Sequence, residues 1–206
     1  MRLVALVLAG GEARRMGGVD KALLDLGGAP LITHVLRRLA PQIAPVAISF
    51  NGDATHIAHY SKAILRDTVV GQGPLGGVLA GLTWAAGIGA DALVTVPVDT
   101  PFIPLDLVAR LRAASVEGGA SYARSVDIEG EMRAHPAVAL WPVSMRADIS
   151  QALGDGERRL RIALKSAAHA DFHDIPDPFT NLNTPEDLAR ARSRMIFPPG
   201  GESHDI

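Results

Sequence analysis

The stretch Leu3-Val4-Ala5-Leu6-Val7-Leu8-Ala9-Gly10-Gly11-Glu12-Ala13-Arg14-Arg15-Met16-Gly17-Gly18-Val19-Asp20-Lys21 decides how the chain is read. Its first part, Leu3–Leu8, is an unbroken aliphatic run halted by paired glycines. That pattern predicts a strand buried on both faces, as in a parallel sheet, rather than a strand with one wet face. Arg2 before an apolar run also has the outline of an export signal, but Glu12, Arg14 and Arg15 follow at once, and a buried strand fits better. The second part is a glycine-rich loop. Glycine lets the backbone approach an anion closely and present its N–H groups in a concave nest. Arg14, Arg15 and Lys21 add three cations to the same loop, which suits a triphosphate. The loop is not a Walker A motif, because no Gly-Lys-Ser/Thr follows at the required spacing. The competing reading is a surface turn with solvated arginines, which needs neither the cations nor so many glycines after a buried strand.

Outward from this stretch, strand-like and helix-like segments alternate. Leu31, Ile32, Val35, Leu36 and Leu39 share a helical face between Pro30 and Pro41. Val46–Phe50 reads as a strand ending at Asn51, residues 57–61 as a weak helix, and Ala63–Arg66 as a strand ending at Asp67. Residues 75–86 read as a helix, Ala92–Val98 as a strand ending at Asp99, and 105–114 as a helix. Residues 121–124 and 137–141 read as strands. Then come helices over 145–153 and 158–167, a strand over 170–175, and a helix from Pro185 to Met195 with Thr184 as N-cap and Asp187 in its first turn. Such alternation predicts an α/β fold: a three-layer, doubly wound, mostly parallel sheet with a Rossmann-like nucleotide-binding half. Ligands in these folds bind beyond the carboxyl ends of the strands. Four consecutive strand ends here deliver a glycine loop, Asn51, Asp67 and Asp99, and that convergence says more than any one of them.

Composition limits the rest. The chain has 206 residues, is 48% hydrophobic and carries no cysteine. A chain of this size buries roughly 70% of its surface, so no staple is required. Disulfides, thiolate zinc, iron–sulfur clusters and a cysteine nucleophile are excluded. Twenty basic against 22 acidic residues leave a net charge of −2, which argues against a nucleic-acid partner. The total hides local excess: four basic and two acidic residues from Arg2 to Lys21, and four basic and none acidic from Arg158 to Lys165. The uncharged stretch 68–90 is long enough to span a bilayer, but its glycines, Gln72 and Pro74 argue for a loop and a buried helix.

Asp99 stands between Pro97 and Pro101 at the end of a buried strand. A hard carboxylate there, facing a phosphate nest, is a natural Mg²⁺ ligand, since magnesium takes one or two carboxylates and completes its shell with water and phosphate oxygens. The alternative is a cap for the next helix, which Pro104 and Asp106 already serve. Gly71-Gln72-Gly73-Pro74-Leu75-Gly76 matches the dinucleotide fingerprint by letter, but sits at the wrong crossover and contains a proline. Arg158, Arg161 and Lys165 have helical spacing; they fit either a solvated face or a surface for an anion. Asn181 and Asn183 fit either amides reading a polar ligand edge or turn residues before Pro185. Of the seven histidines, His56 with His59 and His169 with His173 have helical spacings, but neither pair adds a third ligand, so zinc is not supported.

Leu8-Ala9-Gly10-Gly11, Arg15-Met16-Gly17-Gly18 and Asp20-Lys21 resemble the signature loop of sugar-nucleotide-type nucleotidyltransferases. Gly73-Pro74-Leu75, Pro97-Val98-Asp99-Thr100-Pro101, Gly156-Glu157-Arg158-Arg159 and Asn181-Leu182-Asn183-Thr184-Pro185-Glu186 narrow the resemblance to the molybdenum cofactor guanylyltransferases, over residues 3 to about 192. The resemblance implies an enzyme that joins GMP from GTP to molybdopterin and releases pyrophosphate. It implies GTP binding by Leu8, Ala9, Gly10 and Gly11, phosphate contact by Lys21, and a hold on the guanosine by Asn51 and Asp67. Asp99 would bind GTP and Mg²⁺ (Mn²⁺ as a substitute), with Lys21, Arg15 and Asp99 as the catalytic set. Asn181, Asn183, Arg158 and Arg159 would bind molybdopterin. Residues 1–196 would be one nucleotidyltransferase domain, nucleotide-binding to about 110 and acceptor-binding beyond, with 197–206 a flexible tail. A cytoplasmic monomer is expected, touching upstream molybdopterin-handling proteins and downstream molybdoenzymes but no membrane. The alternatives are a cytidylyltransferase acting on molybdopterin or another phosphorylated acceptor, a non-catalytic nucleotide-binding module, and, from Gly71–Gly76 alone, an NAD enzyme.

Overall fold

The computed structural model describes residues 1–10, 20–67, 73–127 and 129–196. Gly11, Arg14 and Arg15, part of the Gly71–Gly76 motif and the tail from 197 therefore lie outside the described residues. The strands, in chain order, are β1 (Leu3–Leu8), β2 (Asp25–Leu26), β3 (Ala29–Pro30), β4 (Val46–Ser49), β5 (Ile64–Leu65), β6 (Ala92–Pro97), β7 (Ser121–Val126), β8 (Met132–Pro142) and β9 (Ala168–Phe172). The helices are α1 (Leu31–Leu39), α2 (Gly73–Gly87), α3 (Leu107–Ala114), α4 (Arg146–Gly154), α5 (Leu160–Ala163) and α6 (Pro185–Ile196). Seven strands form one sheet in the order β5-β4-β1-β6-β8-β7-β9. Only β8 runs against its neighbours. The mostly parallel, doubly wound α/β sheet expected from the alternation is thus present.

The aliphatic run of β1 divides the core, as a strand buried on both faces must. Ala5 and Val7 face α1 and α3 through Ile32, Val35, Leu39, Leu107 and Leu111. Val4, Leu6 and Leu8 face α2 and α4 through Leu75, Val78, Leu82, Ile149 and Leu153. Two glycines of α2 explain why the uncharged stretch is so rich in them. A Cβ on Gly77 would lie 2.8 Å from Ser49 Oγ, and one on Gly81 would lie 2.6 Å from Leu6 Cδ2 and 2.7 Å from Leu93 Cδ2. The helix backbone rests directly on the sheet there. No helix among the described residues is long and apolar enough to cross a membrane.

Several local expectations need correction. Residues 57–61 form turns after a short 3₁₀ segment, Ala54–His56. Residues 158–167 hold only the four-residue α5, so Arg158, Arg161 and Lys165 do not line a helix face. The strands at 121–124 and 137–141 extend into the longer β7–β8 hairpin. Asp127 closes it by accepting from the amides of Glu129 and Glu131. Pro136, which cannot donate to a ladder, sits where the register slips between Tyr122 and Ala123. The β2–β3 hairpin, turned through Gly27 and Gly28 at positive φ, was not expected at all. Asp106 does not cap α3 by its side chain; Gln42 Oε1 takes the Val108 amide instead. At α6, Thr184 Oγ1 accepts from the Asp187 amide and Asp187 Oδ2 accepts from the Thr184 amide, a reciprocal capping box.

Candidate active site

The register of the parallel strands builds the site. Leu8 lies opposite Ser49 on one side and Pro97 on the other, and Ser49 lies opposite Leu65. Gly10, Asn51, Asp67 and Asp99 each stand two residues beyond one of these four aligned positions. They therefore form a row along the carboxyl edge, in the order Asp67, Asn51, Gly10, Asp99. At about 4.8 Å between neighbouring strands, the row spans roughly 14 Å, enough for a nucleoside at one end and phosphates at the other.

At the β5 end, Asn51 and Asp67 hold each other. Asn51 Nδ2 donates to Asp67 Oδ2 at 2.9 Å, and the Asp67 amide donates to Asn51 Oδ1 at 2.9 Å. Asp67 Oδ1 is buried with no partner among the described residues, and an acceptor of that kind is open to a donor from water or a ligand. In the middle, the Ala9 amide is fixed on the Ser49 carbonyl and Leu8 accepts from the Val98 amide. Gly10 lies beside Asn51: a Cβ there would be in ordinary contact, 3.5 Å from its Nδ2.

At the β6 end, Lys21 Nζ donates to Asp99 Oδ2 at 2.7 Å and to Asn183 Oδ1 at 2.6 Å. The lysine opens a short 3₁₀ segment, Lys21–Leu23, whose first turn is capped by Asp20 accepting from the Ala22 amide. Fully buried Ala22 anchors that segment in the core. Burial pushes the Asp20 carboxyl above its ordinary value, against the Ala22 amide and the charge of His56. The Asn183 side is tied through the backbone, because the Leu182 amide donates to the Asp99 carbonyl at 3.0 Å. Three segments far apart in sequence thus meet at one ammonium group. The N-cap position of α3 is Asp106, not Asp99.

The divalent-cation expectation rests on Asp99 alone. No group of three or more His, Cys, Asp or Glu residues converges among the described residues. One carboxylate at the β6 end of the row is compatible with Mg²⁺, which commonly takes one or two carboxylates and completes its shell with water and phosphate oxygens.

The Arg158–Arg159 pair sits elsewhere, at the start of α2. A Cβ on Gly73 would lie 3.8 Å from Arg158 Cβ and from its carbonyl. Arg158 Nη1 is spent on the carbonyls of Leu153 and Glu157, so this arginine fastens the end of α4. Arg159 is held by Glu157 through Nε and Nη2 at 2.9 and 2.8 Å. Of the two paired asparagines, Asn183 enters the site and Asn181 lies exposed before buried Leu182. Glu157 and Asp20 were visible only as letters next to Arg158 and Lys21. A carboxylate one residue before a cation, after a turn glycine or at an N-cap, was the available signal for both.

Gly10 beyond β1, a lysine–aspartate pair and a polar row along one sheet edge make an arrangement suited to a nucleotide and its phosphates. Residues 5–171 match the family described as MobA-like NTP transferase domain, and the chain belongs to that family. Over 197 residues it is 54% identical to a molybdenum cofactor guanylyltransferase of Cereibacter sphaeroides, covering 95% of this chain and 98% of the relative. It is 46% identical to one from Rhodobacter capsulatus, over 95% and 97%. Its fold is shared with the molybdopterin-guanine dinucleotide biosynthesis protein A of Archaeoglobus fulgidus, with a TM-score of 0.71, 23% identity and coverage of 94% and 98%. It is shared equally with a 4-diphosphocytidyl-2C-methyl-D-erythritol synthase of Anaerococcus prevotii, with a TM-score of 0.72, 12% identity and coverage of 95% and 99%.

Proposed function

We propose that this chain transfers GMP from GTP to molybdopterin, releasing pyrophosphate and forming molybdopterin guanine dinucleotide. The observation that carries the reading is the Lys21 ammonium, within hydrogen-bond distance of Asp99 and of Asn183 at once. One cation touches both the phosphate end of the nucleotide row and the segment proposed for the acceptor. The near-full-length identity to guanylyltransferases supports the choice of GTP and molybdopterin.

In this reading Asn51 orients Asp67, and the free Asp67 Oδ1 accepts a hydrogen bond from the guanosine. Leu8, Ala9 and Gly10 line the nucleotide with backbone, and Gly11 and Arg15 extend the loop by family resemblance. The terminal phosphate oxygen of molybdopterin forms the new bond to the α-phosphorus of GTP. The bond from that phosphorus to the β-bridging oxygen breaks, and its electrons leave with pyrophosphate. The nucleophile is already an anion, so positioning and charge neutralisation carry the catalysis. Lys21 meets the phosphates as charge moves onto the leaving group, joined by Arg15. Asp99 would hold a Mg²⁺ ion, or Mn²⁺ in its place, which when bound neutralises phosphate oxygens. Asn181, Asn183 and Arg159 receive the acceptor, with Arg158 fastening the turn that carries Arg159, in the half of the chain from about 111 to 196. The protein works as a cytoplasmic monomer between molybdopterin-supplying proteins and molybdoenzymes.

The test is pyrophosphate release and dinucleotide formation by purified protein given molybdopterin and GTP, CTP or ATP with Mg²⁺. GTP should be used at least tenfold better than CTP, and Asp99→Ala should abolish transfer. Preference for CTP, or full transfer by Asp99→Ala, would overturn the reading.

A further inference from the structure

The end of α4 contains a device that the proposed reaction has not used. The helix closes at Gly156, whose φ of +89° reverses the chain. The Gly156 amide donates to the Leu153 carbonyl and the Glu157 amide to the Ala152 carbonyl, the paired bonds of a Schellman end. The chain then turns back, and the Glu157 carboxylate gathers four donors. Its Oε1 accepts from the amides of Arg158 and Arg159, both at 2.8 Å, and from Arg159 Nε at 2.9 Å, while Oε2 accepts from Arg159 Nη2 at 2.8 Å. These bonds, first the Arg159 guanidinium and then the two amides, lower the carboxyl to about 2.

The consequence falls on Arg159. Its side chain is 66% exposed, and an exposed arginine ordinarily samples many rotamers. Here one edge of the guanidinium, Nε and Nη2, is fixed on Glu157. The planar fork has five N–H donors, so the outer edge, Nη1 with the second hydrogen of Nη2, is left facing away from the carboxylate. That end-on edge still offers two parallel donors that can meet two oxygens of a phosphate. Arg158 cannot supply it, because its own Nη1 is committed to the Leu153 and Glu157 carbonyls.

We infer that Glu157 is a positioning residue, which locks Arg159 so that its free edge takes the phosphate of the acceptor. This rests on the proposal that Arg159 binds molybdopterin. The division of labour between the two arginines follows: Arg158 holds the turn and Arg159 holds the ligand.

Glu157→Gln separates the two tasks of the carboxylate. The amide oxygen still accepts from both backbone amides, so the turn survives, but the new NH₂ group opposes Arg159 Nη2 and frees the guanidinium. Steady-state kinetics should show the KM for molybdopterin raised about tenfold, as for loss of a charge-assisted contact. The KM for GTP and the melting temperature should be unchanged. Arg159→Ala should raise the same KM, Arg159→Lys should not restore it, and Glu157→Gln should add nothing in the Arg159→Ala background. If Arg159→Ala leaves the molybdopterin KM unchanged, the binding role of Arg159 is wrong. If it raises that KM but Glu157→Gln does not, the positioning role alone is overturned. An equal effect of Glu157→Gln with and without Arg159 also overturns it.

Discussion

Replacing Lys21 by Met keeps the aliphatic stem and removes the charge that Asp99 faces. The gross attraction is large: at 2.7 Å and an effective dielectric near 20, two unit charges gain about 6 kcal/mol. Desolvation of both groups opposes it. Truncating a fully buried pair costs about 3–5 kcal/mol because the other charge is stranded, whereas an exposed pair contributes about 0–1 kcal/mol. The Lys21 and Asp99 side chains keep 20% and 19% of their surface, nearer the buried limit. About 2 kcal/mol is therefore expected for Lys21→Met without nucleotide, a fall of roughly 4–8 °C in melting temperature for a chain of this length. Asp99→Asn should recover at least half of that in the double variant, since it removes the stranded carboxylate. Urea unfolding of wild type, both single variants and the double variant, in chelator and without nucleotide, closes the cycle. A coupling of at least about 1 kcal/mol is expected. Additivity within about 0.3 kcal/mol, the behaviour of independent sites, would refute the claim that the two groups support each other in the empty site. Turnover should stay abolished in the double variant, because both partners are also proposed to serve the phosphates.

Two other predictions concern the scaffold. Gly81→Ala should destabilise by about 1–3 kcal/mol through overpacking, since its Cβ would meet Leu6 and Leu93 at 2.6 and 2.7 Å. Gly87→Ala, with nothing within 4 Å, serves as control, and equal urea midpoints for the two would dismiss the close-approach argument. His135 hydrogen-bonds Ser125 through Nε2 at 2.7 Å. Burial holds its imidazole below the ordinary 6.5, with the Asp177 charge opposing and the Arg133 charge assisting. Because the folded pKa is the lower one, the unfolded chain binds more protons as pH falls through about 6.5, and stability falls with it. His135→Gln should flatten the slope of unfolding free energy between pH 7 and 5; an unchanged slope assigns it to other groups.

What could be read from sequence is what depends on neighbours in the chain. An aliphatic run stopped by glycines specifies a strand and its end, and a doubly wound sheet puts all such ends on one edge. Gly10, Asn51, Asp67 and Asp99 therefore fall on one edge by sequence alone. What escaped depends on partners brought by the turn of the chain. Lys21 and Asn183 are 162 residues apart, and no local pattern announces that pair. The basic spacing of Arg158, Arg161 and Lys165 misled because periodicity presumes a helix. Here the Schellman end of α4 and the Glu157 carboxylate consume the backbone amides of 157–159 before α5 begins. Gly27-Gly28 was legible as a two-residue hairpin turn, but its strands are two residues long and carry no alternation to read.

The same distinction explains why the two halves of the site are built differently. On the proposed nucleotide side, the row from Asp67 to Asp99 is set by strand register, and a parallel strand cannot slip by one residue without exchanging the residues packed against its two helical layers. On the proposed acceptor side the groups stand on loops, at Asn183 and Arg159, and loops need other restraints. The chain supplies a backbone bond from Leu182 to Asp99 with Leu182 itself buried, a capping box behind Asn183, and the four-donor carboxylate beside Arg159. A rigid edge suits a ligand whose length matches three strand spacings. Loop groups pinned one by one suit a second substrate that must meet the first along a single line of attack. Lys21 joins the two, because its short 3₁₀ segment is anchored by Ala22 in the core beneath the nucleotide row while its ammonium reaches across to Asn183.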